Sequence, residues 1–159
     1  MKGKYEALFT PMKIGGLTVK NRIVLCAMGG TNPIGFDGKF DESKHDYYLA
    51  RAKANVGLMI PGVIGVRGMA GGWLYESEDM FMGPMRRLMD DIHACGAKFF
   101  LQLGAGFGRV QFMIPGADMR SDVFKDLTVA PSDGLPNFWD PSIRHRGLTR
   151  DEIRSIINA

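Results

Sequence analysis

The chain has 159 residues, the size of a single domain with its own hydrophobic core. Hydrophobic residues make up 45%, charged residues 23%, and the formal net charge is +3. This composition is ordinary for a globular protein and argues against nucleic-acid binding, which favours basic blocks interleaved with aromatic residues. Since we find neither a cleavable signal nor the roughly 20 apolar residues of a membrane span, we expect a soluble, cytoplasmic protein.

The amino-terminal region predicts a β-hairpin followed by a buried strand. Residues 8–21 alternate apolar and polar side chains around Gly15 and Gly16, which is a hairpin signal. Residues 22–28, RIVLCAM, form an apolar run bounded by two further glycines. Such a run is typical of a strand that is buried on both faces.

Between residues 41 and 56 the apolar period changes to that of a helix. Asp41 is placed to cap the start of this helix, and Gly57 is placed to end it. Residues 58–66, LMIPGVIGV, then return to a buried apolar run and predict a second strand. The apolar stripe of the predicted helix consists of Tyr48, Leu49, Ala52 and Val56.

The same plan follows once more, with a second helix and a third strand. Pro84 favours the first turn of that helix, and Gly96 is placed to end it. Residues 98–103, KFFLQL, predict the third strand. Strands that alternate with helices through short joints indicate parallel strands with helical crossovers, so the predicted fold class is α/β.

A long stretch rich in glycine and proline lies between Gly104 and Gly147 and shows no clear period. It follows the carboxyl end of a strand, where α/β folds place their sites. The chain then begins a helix with a capping box formed by Thr149 and Glu152. This helix reaches Ala159 without a stop signal, so we expect the 159 residues to be part of a longer chain.

The glycine-rich sequence after the third strand fails as a nucleotide-binding motif. Gly104, Gly106 and Gly108 form G-x-G-x-G, with Arg109 where a dinucleotide fingerprint needs its last glycine. A P-loop fails as well, because no Gly-Lys-Ser/Thr follows. The failed fingerprint disfavours a doubly wound nucleotide-binding fold, and by itself the motif predicts a flexible loop at a strand end.

Gln102 interrupts the apolar run of the predicted third strand. An uncharged carboxamide at the end of a buried strand needs partners for two donors and an acceptor. Two interpretations are open at this point: Gln102 bonds to local backbone, or it faces a ligand edge that offers both a donor and an acceptor.

Thiol and imidazole side chains do not suggest a redox or metal site. Cys26 and Cys95 are too few for a disulfide framework, and both lie on apolar patterns, so we expect them to pack in the core. His45 and His145 have no partner at ligand spacing, so no metal site is predicted. His93 faces away from the apolar stripe of its helix, and we expect it to be exposed.

Five motifs occur in a fixed order along the chain. They are LFTPMKIGGLTVKNRIVLCAM, YYLARAKANVGLMIPGV, HACGAKFFLQLGAGFGR, TVAPS and LTRDEI, which begin at residues 8, 47, 93, 128 and 148. Together they resemble the amino-terminal part of the Old Yellow Enzyme family of NADH:flavin oxidoreductases. The GAGFGR ending is most similar to the 2-enoate reductase and 2,4-dienoyl-CoA reductase branch.

The resemblance implies that residues 1–159 are the amino-terminal portion of an FMN-binding (β/α)8 TIM barrel, truncated at the carboxyl end. This portion would hold the hairpin, about three strands and the helix that leads to the fourth. Gln102 corresponds to the family's glutamine that pairs with the pyrimidine edge of the flavin. The positions that match the family's flavin contacts follow the three strands: Ala27, Met28, Gly29, Gly62, Val63 and Gln102.

The resemblance also implies an activity of the ene-reductase type. Hydride would pass from NAD(P)H through the flavin to an activated alkene, such as an enoate or an enoyl thioester. The family's proton donor and phosphate-binding loops lie on later strands, so the resemblance assigns no catalytic residue to these 159 residues. Some longer relatives carry 4Fe-4S and FAD domains, which would lie in segments outside this chain.

The alternative function is a catalytically inactive half-barrel that acts as a binding or assembly module. Open strand edges can pair with another chain. The partner would be a second copy, giving a homo-oligomer, or the remainder of the barrel.

Overall fold

The computed structural model of the chain describes residues 3–35, 37–66, 77–105, 108–110 and 128–158. The chain divides into two compact units, Met1–Ile64 with Ser77–Leu103 and Gly65–Glu76 with Gly104–Ala159. Within the described residues, none of the helices combines the length and the apolar character that crossing a membrane requires.

Short strands and three helices make up the described structure. The strands are β1 (Met12–Ile14), β2 (Leu17–Val19), β3 (Val24–Leu25), β4 (Leu58–Met59), β5 (Ile64–Gly65), β6 (Lys98–Phe99), β7 (Leu103–Gly104), β8 (Val129–Ala130) and β9 (Arg146–Gly147). The helices are α1 (Glu42–Lys53), α2 (Glu78–Ala94) and α3 (Arg150–Asn158), with 3-10 turns at Glu6–Phe9 and Gly108–Val110.

The predicted amino-terminal hairpin is confirmed. Strands β1 and β2 pair antiparallel, with Met12 opposite Val19 and Ile14 opposite Leu17. Gly15 adopts a left-handed backbone with φ of 57°, which suits the tight turn between the two strands.

A three-stranded parallel sheet forms the centre of the first unit. Strand β4 lies between β3 and β6, and Leu58 is in register with Val24 on one side and Lys98 on the other. Helix α1 connects β3 to β4, and α2 lies between β4 and β6 in the chain. The predicted parallel strands with helical crossovers are therefore confirmed.

Helix α1 begins as predicted and ends earlier than predicted. The Asp41 side chain accepts a hydrogen bond from the backbone N–H of Ser43 at 3.0 Å. After Lys53, Asn55 takes the left-handed backbone, with φ of 69°, so the stop predicted at Gly57 is wrong. Gly57 serves close packing instead, because a Cβ there would lie 2.3 Å from Oδ1 of Asn21.

Helix α2 is longer than predicted. It begins at Glu78, so Pro84 lies in its interior and the prediction that places this proline in the first turn is wrong. Proline lacks the N–H that would bond the carbonyl of Met80 four residues earlier. The predicted end is confirmed, since Gly96 adopts a φ of 72° just after the helix.

The core of the first unit lies between the parallel sheet and the two helices. Tyr48, Met59, Leu88 and Ile92 are fully buried there. The ring of Tyr48 meets Phe99 edge to face, with 5.0 Å between centroids.

The second unit contains order within the stretch that shows no period in the sequence. Strands β8 and β9 pair in parallel, with Val129 in register with Arg146. Between them the backbone N–H of His145 donates to the carbonyl of Leu135 at 3.0 Å. The amide of Asn137 donates to Nε2 of His145 at 3.2 Å, and both side chains are buried.

The predicted capping box at the start of α3 is confirmed. The backbone N–H of Glu152 donates to the hydroxyl of Thr149 at 3.2 Å, and the backbone N–H of Thr149 donates to the Glu152 carboxylate at 2.7 Å. Arg146 adds two hydrogen bonds to the same carboxylate, at 2.9 and 2.8 Å. Hydrogen bonding from Arg146 is the main cause that lowers the pKa of Glu152 from 4.5 to about 2.

Candidate functional site

The segments that follow β3, β4 and β6 lie side by side at one edge of the parallel sheet. This follows from the strand order, because the carboxyl ends of neighbouring parallel strands share an edge. All of them belong to the first unit. The positions that match the family's flavin contacts lie in these segments: Ala27, Met28 and Gly29 after β3, Gly62 and Val63 after β4, and Gln102 after β6.

Gly62 lets the loops after β3 and β4 approach each other closely. A Cβ at this position would lie 2.4 Å from the carbonyl oxygen of Met28 and 3.2 Å from the backbone nitrogen of Asn32. The N–H of Gly62 donates to the hydroxyl of Thr31 at 3.0 Å, and Gly62 is buried. Its N–H is therefore already bonded within the protein. The role of Gly62 is to leave space for the Met28 carbonyl, which a side chain would occupy.

Thr31 connects the loop after β3 to its surroundings. Its hydroxyl donates to the carbonyl of Met28 at 2.8 Å, and its backbone N–H reaches the same carbonyl at 3.4 Å. Gly30 between them adopts a φ of 75°, which favours glycine. The hydroxyl of the buried Tyr48 donates to the carbonyl of Thr31, and burial raises the pKa of that phenol above its ordinary value of 10.

The loop after β3 presents open backbone. Ala27, Met28 and Gly29 are all exposed, and a Cβ built on Gly29 would have no atom within 4 Å. The backbone N–H groups of these three residues make no hydrogen bonds to the part of the chain that the structure describes. A flat ligand with polar edges could therefore lie against this backbone.

Gln102 has a fixed backbone and an open side chain. Its carbonyl accepts a hydrogen bond from the N–H of Ile64 at 2.8 Å, next to the half-buried Val63. The residue is exposed, and its carboxamide makes no hydrogen bond to the described residues. The described residues therefore do not support the interpretation in which the Gln102 side chain bonds to local backbone. That the carboxamide faces a ligand stays a prediction.

The apolar residues around Gln102 are exposed, so the prediction of a buried third strand is wrong here. Phe100, Leu101 and Leu103 are 38%, 49% and 58% exposed. A strand of an α/β sheet needs cover on both faces to be buried. Leu58 and Met59 of the central strand β4 are buried, whereas the described residues give the segment after β6 no such cover.

The same reason corrects the prediction for the first strand. Val24 is 37% exposed and Cys26 is exposed, although we expected a strand buried on both faces with its thiol in the core. Cys95 is half-buried, and His93 is exposed as expected.

The glycine-rich sequence after Gln102 is only partly described. The carbonyl of Gly104 accepts a hydrogen bond from the N–H of Val66 at 3.0 Å, which extends the pairing of β5 with β7. Gly108 adopts a φ of 52° in the 3-10 turn, and Gly106 lies outside the described residues. Nε of Arg109 donates to the carbonyl of Pro136 at 3.0 Å.

Two residues of this region do not stand out in the sequence. Thr31 follows two glycines, and a hydroxyl in such a turn often bonds to nearby backbone. This local pattern is the sequence signal that could have identified Thr31. Tyr48 falls on the apolar stripe of α1, so its ring is predictable as core. The bond of its hydroxyl to Thr31, 17 residues away, has no signal in the sequence.

Comparison with known protein families gives a match over almost the whole chain. The sequence model of the family described as "NADH:flavin oxidoreductase / NADH oxidase family" matches residues 7–159. The chain belongs to this family. The resemblance drawn from the five motifs is thereby confirmed.

Curated relatives in the family are much longer than this chain. Cinnamate reductase from Clostridium sporogenes is 35% identical over 166 aligned residues, which cover 100% of this chain and 24% of that protein. NADH oxidase from Thermoanaerobacter brockii is 36% identical over 158 residues, which cover 96% of this chain and 22% of that protein. The chain thus spans about a quarter of the length of these relatives.

A solved structure supports the fold class. Morphinone reductase in complex with tetrahydroNAD superposes with a TM-score of 0.66, covering 96% of this chain and 43% of that chain, at 24% identity. At that identity the likeness concerns the fold. The described strands and helices therefore form the amino-terminal part of a (β/α)8 barrel, as predicted.

Proposed function

We propose that the protein containing this chain is an FMN-dependent oxidoreductase of the ene-reductase type. It would use NAD(P)H to reduce an activated alkene, such as an enoate or an enoyl thioester. One observation carries the proposal: in a member of the flavin oxidoreductase family, the open carboxamide of Gln102 shares a sheet edge with the open backbone of residues 27–29.

The residues at this edge fit a flavin in shape. Ala27, Met28 and Gly29 offer exposed backbone without a bulky side chain at Gly29, so a planar ring can lie close to the chain. Gly62 brings the loop after β4 against the loop after β3, and Val63 follows it at the same edge. Bound FMN would supply hydride transfer, which none of the twenty side chains provides.

Gln102 fits the flavin in hydrogen bonding. A carboxamide carries both donors and an acceptor, and the pyrimidine edge of a flavin needs both. The amide donor would stabilise the negative charge that the pyrimidine carbonyl gains on reduction, and fixed donors of this kind contribute roughly 2.7–4 kcal/mol in oxyanion sites. The bond from Ile64 N–H to the Gln102 carbonyl holds the backbone that carries the amide.

The substrate class is supported by a relative. The relative from Clostridium sporogenes is named cinnamate reductase, and cinnamate is an α,β-unsaturated carboxylate, which is an enoate. We extend this class to the present protein. We assign no catalytic residue within residues 1–159, and we place the proton donor and any 4Fe-4S or FAD group outside them.

Absorption spectroscopy tests the proposal. The purified protein is expected to be yellow with bound FMN and to bleach when NADH or NADPH is added without oxygen. Replacing Gln102→Leu removes the donors while keeping the size, so FMN should bind about tenfold or more weakly, or its reduction potential should fall. Lys13→Leu, at an exposed position of the hairpin, is the control. An unchanged flavin titration in Gln102→Leu would exclude the role of this side chain.

A second candidate function is a binding or assembly module without catalysis. The exposed Phe100, Leu101 and Leu103 favour it, because contiguous exposed apolar side chains mark association sites. The partner would be a second copy or the remainder of the barrel. A preparation that stays colourless after FMN addition but associates through these residues, as shown by loss of association in Leu103→Lys, would favour this function.

A further inference from the structure

We infer that Thr31 is a positioning residue that holds the backbone of residues 27–29 in place for FMN. The inference rests on the proposed function. It concerns a residue that does not itself belong to the flavin contacts given by the family resemblance.

One side chain joins the loops after two different strands. The hydroxyl of Thr31 donates to the carbonyl of Met28 at 2.8 Å and accepts from the N–H of Gly62 at 3.0 Å. It thus uses both its donor and an acceptor position. The carbonyl of Thr31 accepts from the hydroxyl of Tyr48, which is fully buried on α1. Thr31 therefore ties the loop after β3 to the loop after β4 and to the core.

The loop that FMN would contact depends on these bonds. The carbonyl of Met28 receives hydrogen bonds from the backbone and the hydroxyl of Thr31. Ala27 and Gly29 are exposed and donate no backbone hydrogen bond to the described residues. Because residues 27–29 make so few hydrogen bonds of their own, the bonds of Thr31 to Met28 keep them in place. Loss of the Thr31 hydroxyl would therefore make residues 27–29 more mobile.

The close approach of the two loops makes this position sensitive. At Gly62 a Cβ would come within 2.4 Å of the Met28 carbonyl, so the loops are already as near as glycine allows. Without the hydroxyl of Thr31, the buried N–H of Gly62 would lack its acceptor, which is unfavourable for a buried donor. The loops would then move apart, and backbone donors aimed at a ligand would lose their alignment.

The variant Thr31→Val tests the inference, since valine keeps the shape and removes the hydroxyl. We expect FMN to bind the apoprotein about tenfold more weakly, measured by quenching of flavin fluorescence, with an altered flavin absorption spectrum. Thr31→Ser keeps the hydroxyl and should restore affinity to within about threefold of wild type. Tyr48→Phe removes the other tie and should weaken binding in the same direction.

Thr10→Val is a closely matched control. The hydroxyl of Thr10 also donates to a carbonyl three residues earlier, that of Ala7 at 2.8 Å, and also accepts a hydrogen bond, from Arg22 at 3.3 Å. It lies before the hairpin and away from residues 27–29 in the chain. A loss of thermal stability shared by both valine variants, with FMN affinity lowered only in Thr31→Val, would support the inference.

Four outcomes would overturn it. If wild type binds FMN and Thr31→Val binds equally well with the same spectrum, the inference fails while the proposed function stands. The inference also fails if Thr31→Ser binds FMN as weakly as Thr31→Val. If Thr31→Val does not fold, the inference fails when both Thr31→Ser and Tyr48→Phe bind FMN as Thr10→Val does and only their melting temperatures change. If wild type binds no FMN, the proposed function and the inference both fail.

Discussion

Two regions of the first unit, its core and the segment that follows β6, contain similar apolar residues but differ in exposure. In the core, Met59 of β4 and Leu88 of α2 are fully buried. In the segment after β6, Leu101 and Leu103 are 49% and 58% exposed. Leucine thus occurs in both regions, and the side chains alone do not decide which are buried. The cover that other elements provide decides it.

The difference separates residues that stabilise the fold from residues of the proposed flavin site. Buried contacts around Tyr48 hold the helices on the sheet, whereas the open strand ends carry the carboxamide of Gln102 and the backbone of residues 27–29. In a (β/α)8 barrel the active site lies at the carboxyl ends of the strands. Open apolar and polar groups at that edge are what such a site requires.

Replacing leucine by alanine in each region tests this separation and should give the largest effect. Leu88→Ala removes a fully buried side chain and should lower the free energy of unfolding by about 2–5 kcal/mol. Leu103→Ala, at a residue that is 58% exposed, should change it by about 0.5 kcal/mol or less. Urea denaturation measures both. Equal losses in the two variants would show that the segment after β6 is as well packed as the core.

Local signals in the sequence predict much of this fold. The hairpin around Gly15, the cap at Asp41 and the capping box of Thr149 and Glu152 depend on residues within a few positions of each other. The alternation of strands and helices depends on apolar period, which also is local. These features are accordingly present as predicted.

The sequence does not predict features that depend on distant residues. Apolar runs at Val24 and Leu101 suggest burial, but burial requires a second layer that residues far along a barrel must supply. The start of α2 is a different case, because Ser77 at the N-cap position and Glu78 and Asp79 in the first turn are local start signals, and the prediction rests on Pro84 instead. For the site, family resemblance picks out Gln102, and the parallel sheet explains its neighbours, yet Thr31 emerges only from its contacts with Gly62 and Tyr48.

Two glycines of the proposed site differ in their surroundings, because Gly62 is closely packed and Gly29 is open, and they can be compared directly. Gly62→Ala places a Cβ 2.4 Å from the Met28 carbonyl, so we expect a loss of about 1–3 kcal/mol in unfolding free energy together with weaker FMN binding. Gly29→Ala meets no atom within 4 Å and should leave stability within about 0.5 kcal/mol of wild type. Thermal and urea unfolding provide the measurement. A Gly62→Ala variant as stable as wild type would mean that the loops separate without loss.

The polar cap of α3 should give the smallest effect, and it differs from the apolar core in its dependence on pH. Because Arg146 and Thr149 hold the folded pKa of Glu152 at about 2, below its ordinary 4.5, the carboxylate favours the folded state above pH 4.5. This contribution is lost as pH falls from about 4.5 toward 2. Glu152→Gln should therefore cost about 0.5–1 kcal/mol at pH 7 and little near pH 2.

Asp151→Asn is the control for that pH dependence, because Asp151 also pairs with an arginine, Arg154 at 3.0 Å, but lies outside the capping box. The unfolding midpoints of the protein, followed by circular dichroism between pH 2 and 7, should converge for wild type and Glu152→Gln as the solution becomes acidic. The Asp151→Asn midpoint should follow wild type throughout, since exposed i,i+3 pairs contribute little. A constant gap between wild type and Glu152→Gln down to pH 2 would show that the cap acts through shape and not through the charge of the carboxylate.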